Sequence, residues 1–197
     1  MDLNARRDLA QGQLIYVVGA SGAGKDSVLD YARARIPASR PIRFVRRTIT
    51  RPPTAHGEKY NSVTQVQFDT LLGNRAFALH WRANGLSYGI PVGMNKALSA
   101  GLTTVVNGSR AHLATARLLY PNIEVVHITA PYDELQRRLV NRSRECIQSV
   151  EVRLKRSDMF SLSALSLLEI SNVGLIDEAG EIFLRLLLES TTTKMEL

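Results

Sequence analysis

The chain is poor in several residue types, and each scarcity excludes something. Cys146 is its single cysteine, so neither an internal disulfide nor a cysteine-based metal cluster can form. The histidines His56, His80, His112 and His127 show no metal-ligand spacing, and His127 falls in an apolar run and reads as a strand residue. No apolar run approaches the ~20 residues that cross a bilayer. The opening "MDLNARRDLAQGQ" lacks the apolar core of a signal peptide. A cytoplasmic protein without membrane contact is therefore expected. Lysine is scarce too, with five among 25 Lys and Arg residues. Acid is in deficit, with 18 Asp and Glu and a net charge of +7, which favours an anionic partner. Arginine forks suit phosphate, although a GC-rich genome enriches arginine equally. Aromatic residues do not interleave with the arginines, which argues against nucleic acid.

What is present points to one α/β domain. The 197 residues, 45% of them hydrophobic, suffice for a sizeable core. Apolar runs alternate with amphipathic segments. "LIYVV" (14–18), "IRFVR", "LTTVV", "IEVVHIT" and "LLEIS" read as strands. "KDSVLDYARARI" reads as a helix, and so does "SVTQVQFDTLLG", with Ser62 and Gln65 as its capping pair. "PVGMNKALSAG" reads as a helix with Pro91 in its first turn and Gly101 past its end. "SRAHLATARLLY", "PYDELQRRLVNRSRE", "SVEVRLKRSDMF" and "EAGEIFLRLLLES" carry helical patterns, and "RANG" reads as a turn. This alternation predicts a mainly parallel sheet flanked by helices. "TRPPTAHGEKYN" is the longest irregular stretch and reads as a surface loop over a site.

"GASGAGKDS" directly follows the first apolar run. It nearly matches the phosphate-binding loop G-x-x-x-x-G-K-[ST], in a strand–loop–helix context. Gly19, Gly22 and Gly24 let backbone amides approach an anion, and Lys25 adds a point charge. The loop Gly19, Ala20, Ser21, Gly22, Ala23, Gly24, Lys25, Asp26 and Ser27 is the expected ATP site. The hydroxyl that normally holds Mg²⁺ is replaced by Asp26, with Ser27 one place late. Asp26 is either a metal partner or a first-turn acid favoured by the helix dipole. Both Asp26 and Ser27 are metal candidates.

"GAGKDS", "HWRANGLSYG", "VVNGSRAHL" and "LVNRSRE" together resemble the ribose 1,5-bisphosphate phosphokinases, a guanylate-kinase-like family of bacterial phosphonate breakdown. The resemblance runs from about Leu14 to the final helix, and the family's loop carries Asp after the lysine. It implies a P-loop nucleoside-monophosphate-kinase fold. Residues 1–13 would be a polar tail, and 14–197 one domain with a substrate-binding insert near 42–90 and a lid near 137–153. It further implies ATP and Mg²⁺, a sugar bisphosphate acceptor, and a monomer or homodimer. Lys25, Arg138, Arg142 and Arg153 would act in catalysis. Asn172 would lie by the nucleotide. Arg47, Arg51, Tyr60, His80, Tyr88, Ser109 and Arg110 would face the acceptor.

Departures from the guanylate kinase pattern are informative. His80 and Ser109 stand where acids accept hydrogen bonds from guanine, and Thr54 stands for an arginine. The arginines of "ELQRRLVNRSRECIQSVEVRLKR" suit a mobile lid, which phosphoryl transfer uses to surround the moving group with positive charge. A solvated charged face is the competing reading. Two alternatives remain at this level. One is guanosine monophosphate as acceptor. The other is a non-enzymatic phosphopeptide-binding domain, against which Lys25 argues.

Overall fold

A computed structural model describes residues 12–53, 59–142 and 167–192. Its core is a five-stranded, wholly parallel sheet in the order β2-β7-β1-β8-β9. The strands are β1 (Leu14–Gly19), β2 (Ile42–Phe44), β7 (Thr103–Asn107), β8 (Glu124–Thr129) and β9 (Leu168–Ser171). Continuous apolar runs produce these strands because a parallel sheet is buried on both faces. Side chains alternate across the pleat. Ile15 and Val17 join one cluster with Val28, Leu29 and Phe183, from α1 (Lys25–Arg35) and α6 (Ile176–Thr192). Leu14, Tyr16 and Val18 join the other with Met94, Leu98 and Leu113, from α3 (Gly93–Ser99) and α4 (Leu113–Leu119). The remaining helices among the described residues are α2 (Gln65–Gly73) and α5 (Tyr132–Arg142). Among the described residues, no helix is long and apolar enough to cross a membrane.

A second, four-stranded sheet runs in the order β4-β3-β6-β5. It is built from β3 (Thr48–Ile49), β4 (Asn61–Ser62), β5 (Phe77–Ala83) and β6 (Leu86–Pro91). β5 and β6 form a hairpin around Asn84-Gly85, which take φ of 50° and 72°. Two left-handed residues in a two-residue loop match the twist of the flanking strands, so the Asn-Gly pair specifies this turn.

Three local expectations are corrected. Ser62 does not cap α2, because β4 takes it up opposite Ile49 and its hydroxyl donates to the Arg51 carbonyl. Thr64 and Gln67 form the reciprocal capping box instead. Pro91 ends β6 rather than starting α3; Val92 is the N-cap, and its amide donates to the Ala76 carbonyl. Asn61, the last residue of the stretch read as irregular, starts strand β4 and pairs with Thr48 of β3. Arg110–His112 form a 3₁₀ turn before α4. The helical pattern expected over "SVEVRLKRSDMF" lies outside the described residues, as do Thr54, His56 and Cys146.

Candidate active site

The loop between β1 and α1 lies at the carboxyl edge of the parallel sheet, where open α/β sheets place ligands. Gly24 is the N-cap of α1, with φ 83°. A Cβ there would collide with Asn172 Nδ2 and come within 3.5 Å of an Arg138 guanidinium nitrogen. Glycine is therefore required both by the backbone angle and by close approach. The Lys25 ammonium donates to the carbonyls of Gly19 and Ala20, each at 2.9 Å. The lysine thus lies across the mouth of its own loop.

Asn172 ties the far edge of the sheet to this loop. Its amide donates to Thr129 O and its Nδ2 to Ala23 O, both at 2.8 Å. Its Oδ1 is buried without a hydrogen-bond partner among the described residues. Arg138, on α5, donates through Nη2 to Asn172 O at 3.1 Å and through Nε to Glu134. Glu134 also receives two bonds from Arg137, and these hydrogen bonds hold its carboxyl below the usual range. Gly24, Ser27, Arg138, Asn172, Gly174 and Ile176 line one hollow of about 170 Å³. Such a hollow, beside loop amides and a fixed guanidinium, can accept the nucleoside end of a nucleotide.

Asp26 belongs to a different hollow. Consecutive helical residues point about 100° apart, as 3.6 residues per turn requires. Asp26 lines a cleft with Asp30, Arg33, Lys59 and Asn107. Its Oδ1 accepts from Asn107 Nδ2 at 2.7 Å. The loop therefore separates its two metal candidates, with Ser27 on the Arg138 side and Asp26 on the β7 side.

The second sheet supplies cations and rings. Arg47 lies 5.3 Å from the Tyr88 ring centroid. Tyr88 stacks on Trp81 at 5.5 Å, and Trp81 on His112 at 5.6 Å. Burial, with a smaller contribution from His80, lowers the pKa of His112, so its imidazole stays neutral in this stack near neutral pH. Arg51 donates from Nε to Tyr60 Oη at 3.0 Å and sits 4.4 Å over that ring. Tyr60 Oη in turn donates to Pro52 O. At the end of β7, Ser109 N–H donates to Tyr16 Oη at 3.0 Å. Burial pushes the Tyr16 phenol up to about 12, which keeps it a neutral acceptor for that amide.

Comparison with known proteins decides the family. No family model matches the chain. "Ribose 1,5-bisphosphate phosphokinase PhnN" of Azotobacter vinelandii is 44% identical over 176 residues, covering 89% of this chain and 96% of the relative. The proteins of the same name from Pseudomonas fluorescens and Pseudomonas paraeruginosa are 48% and 45% identical. They cover 79% and 85% of this chain, and 81% and 90% of their own lengths. The chain belongs to the ribose 1,5-bisphosphate phosphokinase family. Among solved structures, a guanylate kinase from Anaplasma phagocytophilum superposes with a TM-score of 0.67 at 16% identity. It covers 91% of this chain and 86% of its own. The phosphokinase family member described here thus has the guanylate-kinase-like α/β fold.

Within this phosphokinase fold, Gly24, Ser27, Arg138 and Asn172 come together at one hollow. Arg47 pairs with Tyr88, and Arg51 with Tyr60. His80 is exposed on β5 opposite Gly89. Ser109 and Arg110 follow the end of β7 after Gly108. Arg142 is the last residue of α5, and Arg153 lies outside the described residues. Three residues were missed by sequence reasoning: Asn107, Lys59 and Trp81. Asn107 had a readable signal, since it is the polar residue that closes the apolar strand "LTTVVN" beside β1. Trp81 had one as well, since the Asn84-Gly85 turn sets it opposite Tyr88, whereas Lys59 had none, because only the tertiary fold brings it to Asp26.

Proposed function

We infer that the chain transfers the γ-phosphoryl group of ATP to ribose 1,5-bisphosphate, giving ADP and 5-phosphoribosyl 1-diphosphate. The observation that carries this is family membership over most of the chain, joined to a glycine loop that keeps its lysine, Lys25, in contact with it. The chemistry is self-consistent. An oxygen of the acceptor's 1-phosphate attacks the γ-phosphorus, and the bond from that phosphorus to the β–γ bridging oxygen breaks. The attacking oxygen is already anionic at neutral pH, so the chain needs no general base. Catalysis reduces to positioning and charge neutralisation.

Each residue then has a task. Loop amides from Gly22 to Ser27 and the Lys25 ammonium hold the β- and γ-phosphates. Lys25 exchanges the Gly19 and Ala20 carbonyls for phosphate oxygens. Arg138, held by Glu134 and Asn172 O, lies against Gly24 and meets the nucleotide there. Asn172 faces the nucleoside. Arg47, Arg51 and Arg110 hold acceptor phosphates, with Tyr60 and Tyr88 steering the first two. His80 and Ser109 leave the acceptor side without the carboxylates a guanine would require. Arg142 and Arg153 belong to the lid that completes the positive surround. The insert spans about 42–90 within a single domain of 14–197.

Mg²⁺ fits this donor set. Among the described residues no three His, Cys, Asp or Glu side chains converge to hold a metal alone. None need do so, because Mg²⁺ keeps several waters and takes one or two protein ligands plus phosphates. Asp26 provides the carboxylate, and Ser27 lies on the opposite side of the loop. When bound, the ion neutralises charge on the β- and γ-phosphates.

The test offers labelled ATP with ribose 1,5-bisphosphate or guanosine monophosphate. Each guanine donor left without an acceptor costs ~1–3 kcal/mol. Two such losses give a kcat/KM preference for the bisphosphate of roughly 10²-fold or more. Comparable values for the two acceptors would return the chain to guanylate kinase chemistry.

A further inference from the structure

β7 runs parallel beside β1, with Asn107 opposite Val17. Asn107 is 4% exposed. Its Nδ2 is spent on Asp26 at 2.7 Å, whereas its Oδ1 is buried without a hydrogen-bond partner among the described residues. Buried carbonyls are almost always satisfied, so an orphan marks a place where water or an ion belongs. The orphan sits beside a carboxylate, in a cleft also lined by Lys59 and Arg33.

The position of the pair is as telling as its geometry. In P-loop enzymes generally, the metal takes a hydroxyl from the residue after the loop lysine. A carboxylate elsewhere in the site, on the strand-borne second motif, completes the pair. Here the residue types stand the other way round. The carboxylate follows Lys25 as Asp26, and the neutral polar side chain, Asn107, ends the neighbouring strand. One negative charge is kept across the two positions. An acid at 107 would set two carboxylates in contact, and like charges that close cannot both stay ionised. Asparagine avoids this: its amide donates to Asp26 while its carbonyl remains for a metal-bound water.

We propose that loop and strand have exchanged the metal-binding carboxylate, and that Asn107 is the positioning residue that fixes Asp26 and offers Oδ1 to the hydrated metal. This rests on the phosphotransferase reading above. It assigns Asn107 a role in metal affinity rather than in tying α1 to β7. Replacing it therefore changes metal binding more than melting temperature.

The experiment compares wild type, Asp26→Ser, Asn107→Asp and the double variant. Mn²⁺ binding is titrated by electron paramagnetic resonance with the β,γ-methylene analogue of ATP present, so no turnover is needed. Each single substitution is expected to weaken Mn²⁺ by about 10- to 100-fold. The double variant restores the common arrangement and is expected within about threefold of wild type, a strongly non-additive cycle. Losses that simply add in the double variant overturn the proposal, as does wild-type Mn²⁺ affinity in both singles. Should Asn107→Asp fail to fold, Asn107→Ala replaces it. Mn²⁺ affinity about tenfold weaker, with metal-free analogue binding retained, then supports the assignment. Unchanged Mn²⁺ affinity overturns it. A non-additive Mn²⁺ cycle in a protein that does not phosphorylate ribose 1,5-bisphosphate would sink the acceptor assignment and leave the exchange standing.

Discussion

Gly24→Ala tests whether the loop, α1 and β9 are locked together at one atom. Alanine at φ 83° occupies the left-handed region, which costs about 1–2 kcal/mol. The new methyl group also collides with Asn172 Nδ2, so that amide must withdraw from Ala23 O. Losing that hydrogen bond adds about 0.5–1.5 kcal/mol. The sum of about 1.5–3.5 kcal/mol corresponds, for a chain of this size, to a melting temperature lower by roughly 3–14 °C. Asn172 and Arg138 share a bond, so the nucleotide hollow is disturbed as well and the KM for ATP rises. Thermal melts followed by circular dichroism and initial rates over an ATP series read the two effects separately. Gly73→Ala is the control: it ends α2 and a Cβ there meets nothing within 4 Å. That variant is expected within about 0.5 kcal/mol of wild type. A Gly24→Ala protein with unchanged melting temperature and ATP KM would refute the packing argument.

Lys25→Ala is expected to abolish transfer in a protein that still folds, since the ammonium is the loop's point charge for phosphate; near wild-type transfer in the folded variant would contradict the role given to Lys25. His112 contributes to pH dependence. Its folded pKa lies below the unfolded ~6.5. The unfolded chain therefore binds more protons near that pH, and stability falls as pH drops below it. His112→Gln should flatten the fall in urea midpoint between about pH 7.5 and 5.5, and an unaltered slope would show that His112 is not a source. Glu134→Gln removes the charge that orients Arg138 and should raise the ATP KM more than it lowers kcat. An equal fall in kcat and kcat/KM would instead place the Arg138 contact in the transition state alone.

The parts of the fold that were legible are those written locally. β1, β7 and β8 are continuous apolar runs because both faces are covered, and the Asn-Gly turn encodes its own geometry. The two-residue strands β3 and β4 were not legible, since pairing across an intervening segment defines them rather than their composition. The capping box was misplaced by two residues for the same reason: Ser62 is an equally good cap until a sheet claims it. At the site, the glycine loop between strand and helix was readable from spacing. The division of Asp26 and Ser27 between two hollows was not, because it depends on which neighbours surround α1. Asn107 shows the limit most clearly. A single polar residue closing an apolar strand gains meaning only when β7 is seen beside β1.

The stack of Tyr88, Trp81 and His112 has an optical consequence. Trp81 is the only tryptophan in the chain, so all indole emission comes from one place. Its ring lies within 3° of parallel to Tyr88, whose other neighbour is the Arg47 guanidinium on the proposed acceptor side. A guanidinium that leaves the Tyr88 face to meet a phosphate changes the field felt by the indole through one intervening ring. On its far side the indole meets an imidazole, which quenches when protonated. The molecule therefore carries its own unlabelled fluorophore, placed to report the proposed acceptor side on one face and acidity on the other.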